Sequence, residues 1–433
     1  MIKQHNMANR SNSESNSDSP MVIDDSDRYS RLKLIAWWEQ EKIAAARILV
    51  VGAGALGNEV IKNLALMGIG EINIIDFDEV QESNLSRSVL FRASHEGQAK
   101  ALVAAEMARD LNPDCRINPI AGNVLTDVGL GFVADMNLVI CCVDNREARL
   151  WINRMCWKTN RPWIDGGIQE INGVAKVFCP PLGACYECAM TENDYRLISL
   201  RYSCPLLRKE DIQQGKVPTA PTIASIIGGL QVQEALKLLH QLPSAEGSAL
   251  VFNGLSNNFY QTRYPRRPNC LSHETYDEII DLPLMAKTAT ADDLFLQLKK
   301  QRASQTSSDN TWRILLDRDF LISLNCRTCG IDRQERTPLS RVTADQGFCH
   351  ACGEVCHPFT TSEIECDSEL AENTLFELGI PEYDILKVSD GQETLFIKLQ
   401  NDSPQFSGHA TASENKHSDR VQSTAAEFQP NQR

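Results

Sequence analysis

No run of about eighteen apolar residues occurs anywhere in this chain of 433 residues, so no hydrophobic helix is expected to span a membrane. Positive charge is also in short supply. The 43 Lys and Arg residues are outnumbered by 57 Asp and Glu, leaving a net charge of -14, and no basic stripe collects on any segment. Nucleic acid, whose phosphates call for such a stripe, is therefore not the expected partner. Residues 1–26 are rich in Ser, Asn and Asp and poor in apolar side chains. They lack the apolar core of a secretory signal, which predicts a cytoplasmic protein, and their composition predicts a disordered tail. Residues 402–433 have a similar composition and carry the same expectation. No internal repeat is present, which excludes a solenoid.

What the chain does have is enough apolar surface, 42% of its residues, for a large core split between two or three domains. Residues 27–278 alternate β-rich runs with helical periods, the pattern of an α/β fold. Arg47–Val51 reads as a buried strand, Asn58–Met67 as a helix, Glu71–Ile75 as the next strand, Asn137–Val143 as another, and Thr222–Gln241 as a long amphipathic helix with Ile223, Ile226, Ile227, Leu230, Leu238 and Leu239 on its apolar face. Residues 279–401 read as a smaller α+β domain. Its expected elements are a helix at Ala291–Lys300, strands at Trp312–Leu316 and Glu393–Leu399, and a short helix running into a turn at Leu375–Pro381. The polar stretch Arg302–Asn310 reads as a loop within it.

Fifteen cysteines without a secretory signal point to metal binding before disulfides. Cys326-x-x-Cys329 and Cys349-x-x-Cys352, with 19 residues between them, have the spacing of a zinc ribbon, four thiolates around one tetrahedral ion. Cys356 and His357 follow closely and are alternative ligands. Cys185-x-x-Cys188 is a third knuckle whose partners the spacing alone does not identify. Cys141, Cys142 and Cys179 lie in apolar strands and read as core.

Between the first strand and helix runs Gly52-Ala53-Gly54-Ala55-Leu56-Gly57. Such a turn lets backbone N–H groups approach a phosphate at the helix N-terminus. Alone it fits a nicotinamide or flavin enzyme equally well. Here Asp76 ends the second strand, placed for ribose hydroxyls, Asp78, Arg87 and Lys100 follow closely, and Asp144 ends a later strand. A dinucleotide's diphosphate is already served by the helix end. Two further cations and two further carboxylates suit a triphosphate with magnesium.

The segment from Arg28 to about Leu239 resembles the ThiF/MoeB superfamily, which includes the activating enzymes of ubiquitin and its relatives. The resemblance is carried by Arg28-Tyr29-Ser30-Arg31, the glycine turn, Ile75-Asp76-Phe77-Asp78, Asn84-Leu85-Ser86-Arg87, Lys100 and Asp144 to Arg149. It continues through Ile164-Asp165-Gly166-Gly167, Cys185-Tyr186-Glu187-Cys188 and the helix after Pro221. It implies a Rossmann-like adenylation domain with a mixed sheet. The implied reaction is ATP-dependent adenylation of the C-terminal glycine of a ubiquitin-like protein. Asp76 would hold the ribose; Asn84, Arg87 and Lys100 the phosphates; Asp144 the Mg²⁺. Arg31 would reach the ATP of a partner subunit in a homodimer. Ser88 stands where the family often has Gln. The second knuckle partnering Cys185 and Cys188 would be Cys270 and His273, giving two Zn²⁺ sites in all. Cys204 lies where ubiquitin-type relatives carry a thioester nucleophile, and Arg201 nearby would lower its pKa. Sulfur-carrier adenylyltransferases share the nucleotide residues without needing that cysteine, so thioester transfer and sulfur-carrier activation both stay open. A zinc-bearing binding module without turnover is the non-enzymatic alternative. Residues 279–401 loosely resemble the β-grasp-like domain with which some activating enzymes recruit a conjugating enzyme.

Overall fold

The structure, a computed structural model, describes residues 26–196, 218–302, 312–343 and 345–401. Cys204 and Arg201, most of both terminal segments and residues 303–311 of the polar loop lie outside the described residues.

Strand β1 (Arg47–Val51) has its last four residues buried. Successive side chains of a strand point to opposite faces, and two separate apolar layers result. Ile48 and Val50 pack with α2 (Ala55–Met67), α3 (Lys100–Leu111) and α6 (Pro221–Leu239) on one face. Leu49 and Val51 pack with α4 (Leu130–Ala134) and α5 (Arg146–Lys158) on the other. A short α1 (Gln40–Ala45) leads into β1.

The sheet contains β2 (Glu71–Asp76), β3 (Arg116–Ala121), β4 (Leu138–Cys141), β5 (Trp163–Gln169), β6 (Asn172–Phe178), β7 (Ser248–Asn253) and β8 (Asn258–Arg263). The order is β3-β2-β1-β4-β5-β6-β7-β8. The first five strands run parallel and the last three antiparallel, so the sheet is mixed. Strand order reverses between β1 and β4. At such a switch point two connections leave in opposite directions and a crevice opens beyond the carboxyl ends of the strands.

A second sheet holds β9 (Ile280–Asp281), β10 (Arg313–Asn325), β11 (Asp332–Pro338), β12 (His357–Glu365), β13 (Ile385–Ser389) and β14 (Thr394–Lys398), in the order β11-β10-β13-β14-β9 with β12 also on β10. Helix α7 (Ala291–Arg302) closes its core through Leu294, Phe295 and Leu298. The two sheets are joined through the α4–α5 layer. Tyr276 and Ile385 enter the core of that layer, Asp384 accepts a hydrogen bond from the Leu130 N–H at 2.6 Å, and Lys398 pairs with Asp135 at 3.2 Å.

Two expectations need correction. Leu375–Pro381 is a single α-turn and not a helix. Thr374 and Glu377 bond to each other's backbone N–H, as at a helix start. Gly379, at φ +88°, then reverses the chain before a second turn can form. Strand β10 runs on to Asn325, well past Leu316. Its charged run does not end it, because Asp317 pairs with Lys158 of α5 and the Arg318 guanidinium lies 4.2 Å from the Trp151 ring. In α6 the apolar stripe is interrupted by fully buried Gln231 and Glu234.

Candidate active site and metal centres

The glycine turn occupies the switch-point crevice. Gly52 has φ +95°, and a Cβ there would lie 2.8 Å from the Cys142 carbonyl oxygen at the end of β4. A Cβ on Gly57 would lie 1.9 Å from the Gly52 oxygen. A side chain at either position would push β1, α2 and β4 apart. Gly54 differs: a Cβ there meets nothing within 4 Å, so its outer side faces open space.

Asp76 closes β2 beside this turn. Its carboxylate accepts from the Ala53 N–H at 2.7 Å and the Asp78 N–H at 2.8 Å. Burial raises its pKa, against the pull of those N–H groups and of Lys100. Lys100 begins α3 and pairs with Asp78 at 2.8 Å. The Asn84 side-chain oxygen accepts from the Gln81 N–H at 3.0 Å, and Arg87 donates to the Ser83 carbonyl at 2.8 Å. Neither Arg87 nor Asp144 has an oppositely charged partner among the described residues, and Asp144 is exposed between β4 and α5. Gly52, Gly54, Gly57, Asp76, Asp78, Lys100 and Asp144 thus collect at or just beyond the carboxyl ends of β1, β2 and β4. Segment 84–91 flanks them with Asn84 and Arg87.

Arg31 is not part of this group. Its neighbour Tyr29 packs against Gly68, at the C-terminal end of α2, and accepts from Asn112 at 2.7 Å. A helix of 13 residues separates that end from the glycine turn by about 20 Å.

Arg149 and Asp165 stand within the motifs without a role that sequence assigns, and neither Lys176 nor Gln231 belongs to any motif. Asp165 on β5 is 1% exposed as a side chain and sits between Arg149 at 2.8 Å and Lys176 at 3.2 Å. Burial opposes its ionisation, but Arg149 and Lys176 outweigh it and hold the carboxyl below its ordinary value. Arg149 also donates to the Val143 and Gly166 carbonyls, fixing the chain just before Asp144. Gln231 donates to the Cys141 carbonyl at 2.9 Å and ties α6 to the same strand end. For Asp165 and Lys176 the signal is a polar side chain in an otherwise apolar run, which spacing does not interpret, and Arg149 stands in a charged stretch that does not set it apart.

Replacing Arg149 with Met should cost about 3 kcal/mol, because a buried carboxylate loses its closer partner. Denaturant titration reads the loss directly. The depressed Asp165 pKa contributes stability that is fully present above about pH 5 and is lost as pH falls through its folded value. The wild-type excess over Arg149→Met should therefore shrink in acid. A variant of wild-type stability would count against the pairing.

Two clusters have the donors and spacing for zinc. Thiolates about 2.3 Å from one tetrahedral ion lie roughly 3.7 Å apart. Cys185 lies 3.7 Å from Cys188 and 3.5 Å from Cys270, and Cys188 lies 3.3 Å from His273 Nε2. In the second sheet, Cys329 lies 3.3, 3.4 and 3.5 Å from Cys326, Cys349 and Cys352. The ligand atoms of each cluster all lie within 4.8 Å of one another. Cys356 and His357 are not needed to complete the ribbon set. Backbone N–H groups of Ala351 and Cys352 bring the Cys349 thiol down to about 6, favouring the thiolate that a metal needs. Hydrogen bonds with the neighbouring thiols push Cys329 up, and burial pushes Cys185 and Cys270 up, so at both clusters an ion must displace protons itself. His273 stacks on Trp157 with ring centroids 4.3 Å apart. Buried Glu187 accepts from Ser272 and from Tyr195, joining the two halves of the ligand set.

The ThiF family model matches residues 27–272. The NEDD8-activating enzyme E1 catalytic subunit of Schizosaccharomyces pombe is 36% identical over 151 residues, 34% of this chain and 34% of that enzyme. The molybdopterin-synthase adenylyltransferase of Salmonella typhimurium is 29% identical over 251 residues, 56% of this chain and 94% of that protein. The SAMP-activating enzyme E1 of Haloferax volcanii is 30% identical over 254 residues, 56% of this chain and 87% of that protein. The chain thus spans about a third of the first of these relatives, and the family match ends before β9.

Proposed function

The chain belongs to the ThiF family, and from that premise we propose that it uses ATP to adenylate the C-terminal glycine carboxylate of a small ubiquitin-like or sulfur-carrier protein. What supports this reading is the charge near the glycine turn: Lys100 as a cation beyond the end of β2, Asp144 as an acid with no oppositely charged partner among the described residues, and Arg87 on the flanking segment 84–91. Activating enzymes and an adenylyltransferase among the relatives support the same reaction.

The chemistry follows from charge. A carboxylate oxygen of the carrier attacks the α-phosphorus, an O–P bond forms, and the bond to pyrophosphate breaks. No general base is required, since the nucleophile is already ionised at neutral pH. The turn N–H groups receive phosphate oxygens, and Asp76 receives the ribose hydroxyls. Arg87 and Lys100 offset the repulsion between two anions and the charge on the leaving group. Asp144 and its neighbours would hold Mg²⁺, which supplies further charge neutralisation on the phosphates. Arg31, too far from its own turn, would act on the nucleotide of a second copy, which makes a homodimer the working unit. A reducing compartment such as the cytoplasm suits this many free thiols.

The test is ATP–pyrophosphate exchange with a β-grasp protein ending in glycine, with the acyl-adenylate identified by mass. Exchange should require both the carrier and its terminal glycine. No exchange with any such carrier would overturn the reading.

Thioester transfer is the further step in the ubiquitin-type reading. Cys204→Ser should then still release pyrophosphate but lose a reductant-sensitive carrier adduct seen with wild type on non-reducing gels. Wild type that never forms the adduct would assign the chain to sulfur-carrier activation. In the ubiquitin-type case the second sheet is the surface for a conjugating enzyme. Elemental analysis should give two zinc ions per chain; one would remove either the ribbon or the set of Cys185, Cys188, Cys270 and His273.

A further inference from the structure

One buried side chain touches both halves of the candidate nucleotide site. Asn58, the fourth residue of α2, is 0% exposed. Its amide nitrogen donates to the Ala53 carbonyl at 2.7 Å and the Gly54 carbonyl at 3.0 Å. Its amide oxygen accepts from the Leu90 N–H at 2.8 Å. Leu90 closes the segment that carries Asn84 and Arg87, whose own turns are held by Arg87 N–H to Asn84 O and Phe91 N–H to Ser88 O.

We infer that Asn58 is a positioning residue for ATP, aiming the donors of the glycine turn and holding the Arg87 segment in register with them. Across a trans peptide bond the C=O and N–H point in opposite directions. Turning the Ala53 and Gly54 carbonyls inward onto Asn58 therefore turns the Gly54 and Ala55 N–H groups outward. Neither N–H donates to another described group, as the first turn of a helix requires, and the outward side is the open space over Gly54. The same carboxamide spans to Leu90, so the backbone donors and the Arg87 cation share one anchor. Asparagine is suited to this because it offers two donors and an acceptor on one short, neutral group. Aspartate would present oxygen to both carbonyls, and leucine would leave the Ala53 carbonyl and the Leu90 N–H unsatisfied, while the Gly54 carbonyl keeps the Asn58 backbone N–H at 2.9 Å.

The inference rests on the adenylation reading, but its primary readout does not need the carrier. Calorimetry with a non-hydrolysable ATP analogue and Mg²⁺ separates affinity from the folded fraction, which appears as stoichiometry. Asn58→Ala should bind the analogue about tenfold more weakly or worse, at a stoichiometry set by whatever fraction folds, because at least one hydrogen bond's worth of positioning is lost. Asn58→Ser keeps one arm, since a serine hydroxyl reaches the carbonyl four residues back, here Gly54, but not Leu90. It should fall between wild type and Asn58→Ala in affinity, and it serves if the alanine variant does not fold. A merely structural role would lower stoichiometry and thermal stability and leave affinity unchanged, and that result in either folded variant overturns the inference. In wild type, the analogue should slow amide exchange in residues 53–58 and 84–91 together; protection of the first without the second overturns it as well. Analogue binding by a wild type that shows no exchange with any carrier would defeat the adenylation reading and leave the role of Asn58 still measurable.

Discussion

Lys100→Ala is expected to lower ATP–pyrophosphate exchange by about 10²–10³-fold, the loss of roughly 3–4 kcal/mol of transition-state stabilisation. The protein should stay folded. Lys100 pairs with Asp78, whose side chain is 53% exposed, and a pair with one partner in water contributes about 1 kcal/mol or less to stability. The freed Asp78 carboxylate can be hydrated where it stands. No such substitute would exist in the proposed reaction, where the ammonium would offset charge building on phosphate oxygens in a site that the carrier's C-terminus would close to water. Asp144→Ala should fall in the same direction for the complementary reason, since its carboxylate has no described partner to lose and its expected role is toward Mg²⁺. Thermal unfolding beside the exchange assay separates the two quantities. Wild-type exchange in either variant would remove these residues from the site.

Stripping metal from the ribbon should unfold the second half of β10, β11 and the first half of β12 with the knuckles between them before the first sheet loosens. The apolar cluster under the knuckles is Leu321, Leu324, Cys326, Cys349 and Cys356, with Leu339 and Val342 at its edge. Three of its five buried members are cysteines, too little apolar surface to fold alone. Structural zinc contributes on the order of 10 kcal/mol to folding in such small units. The first sheet has two large apolar layers of its own and needs no ion at its centre. Hydrogen exchange after chelation should show residues 321–325, β11 and the first half of β12 losing protection while β1, β2 and β4 keep theirs. Cys329→Ser, at the exposed rim of the cluster, should lower the zinc count by one and reproduce the effect locally. Simultaneous melting of both sheets, or an unchanged zinc count, would contradict the ribbon assignment.

Much of this was legible because the signals are local. Five residues from Arg47 to Val51 form β1 as expected, since a short apolar run ending in a glycine turn has few other stable forms. The glycine turn, Asp76 and the C-x-x-C knuckles announce themselves by residue type and spacing, because phosphate and metal binding impose both. Composition excluded a hydrophobic membrane helix, and no described helix is long and apolar enough to be one.

Other features needed the third dimension. Cys270 and His273 stood as partners of Cys185 and Cys188 only through a resemblance, and the fold brings donors 85 residues apart to 3.5 and 3.3 Å. The short helix expected at Leu375–Pro381 has the right apolar content, but one reciprocal cap and one left-handed glycine confine it to a turn. Strand β10 runs past the expected Leu316 because Asp317 and Arg318 face α5. Gln231, Asp165 and Asn58 are polar residues in apolar surroundings, and a one-dimensional pattern has no place for them. A buried polar group is tolerable only where its partners stand, and those partners sit on other strands and turns. Sequence alone therefore determined the elements and the chemical groups, because propensity, periodicity and ligand spacing act within a few residues. Which groups meet, which are buried, and which end of α2 Arg31 lies beside were decided by the tertiary structure, because contacts across a sheet depend on how strands are ordered and how helices cover them.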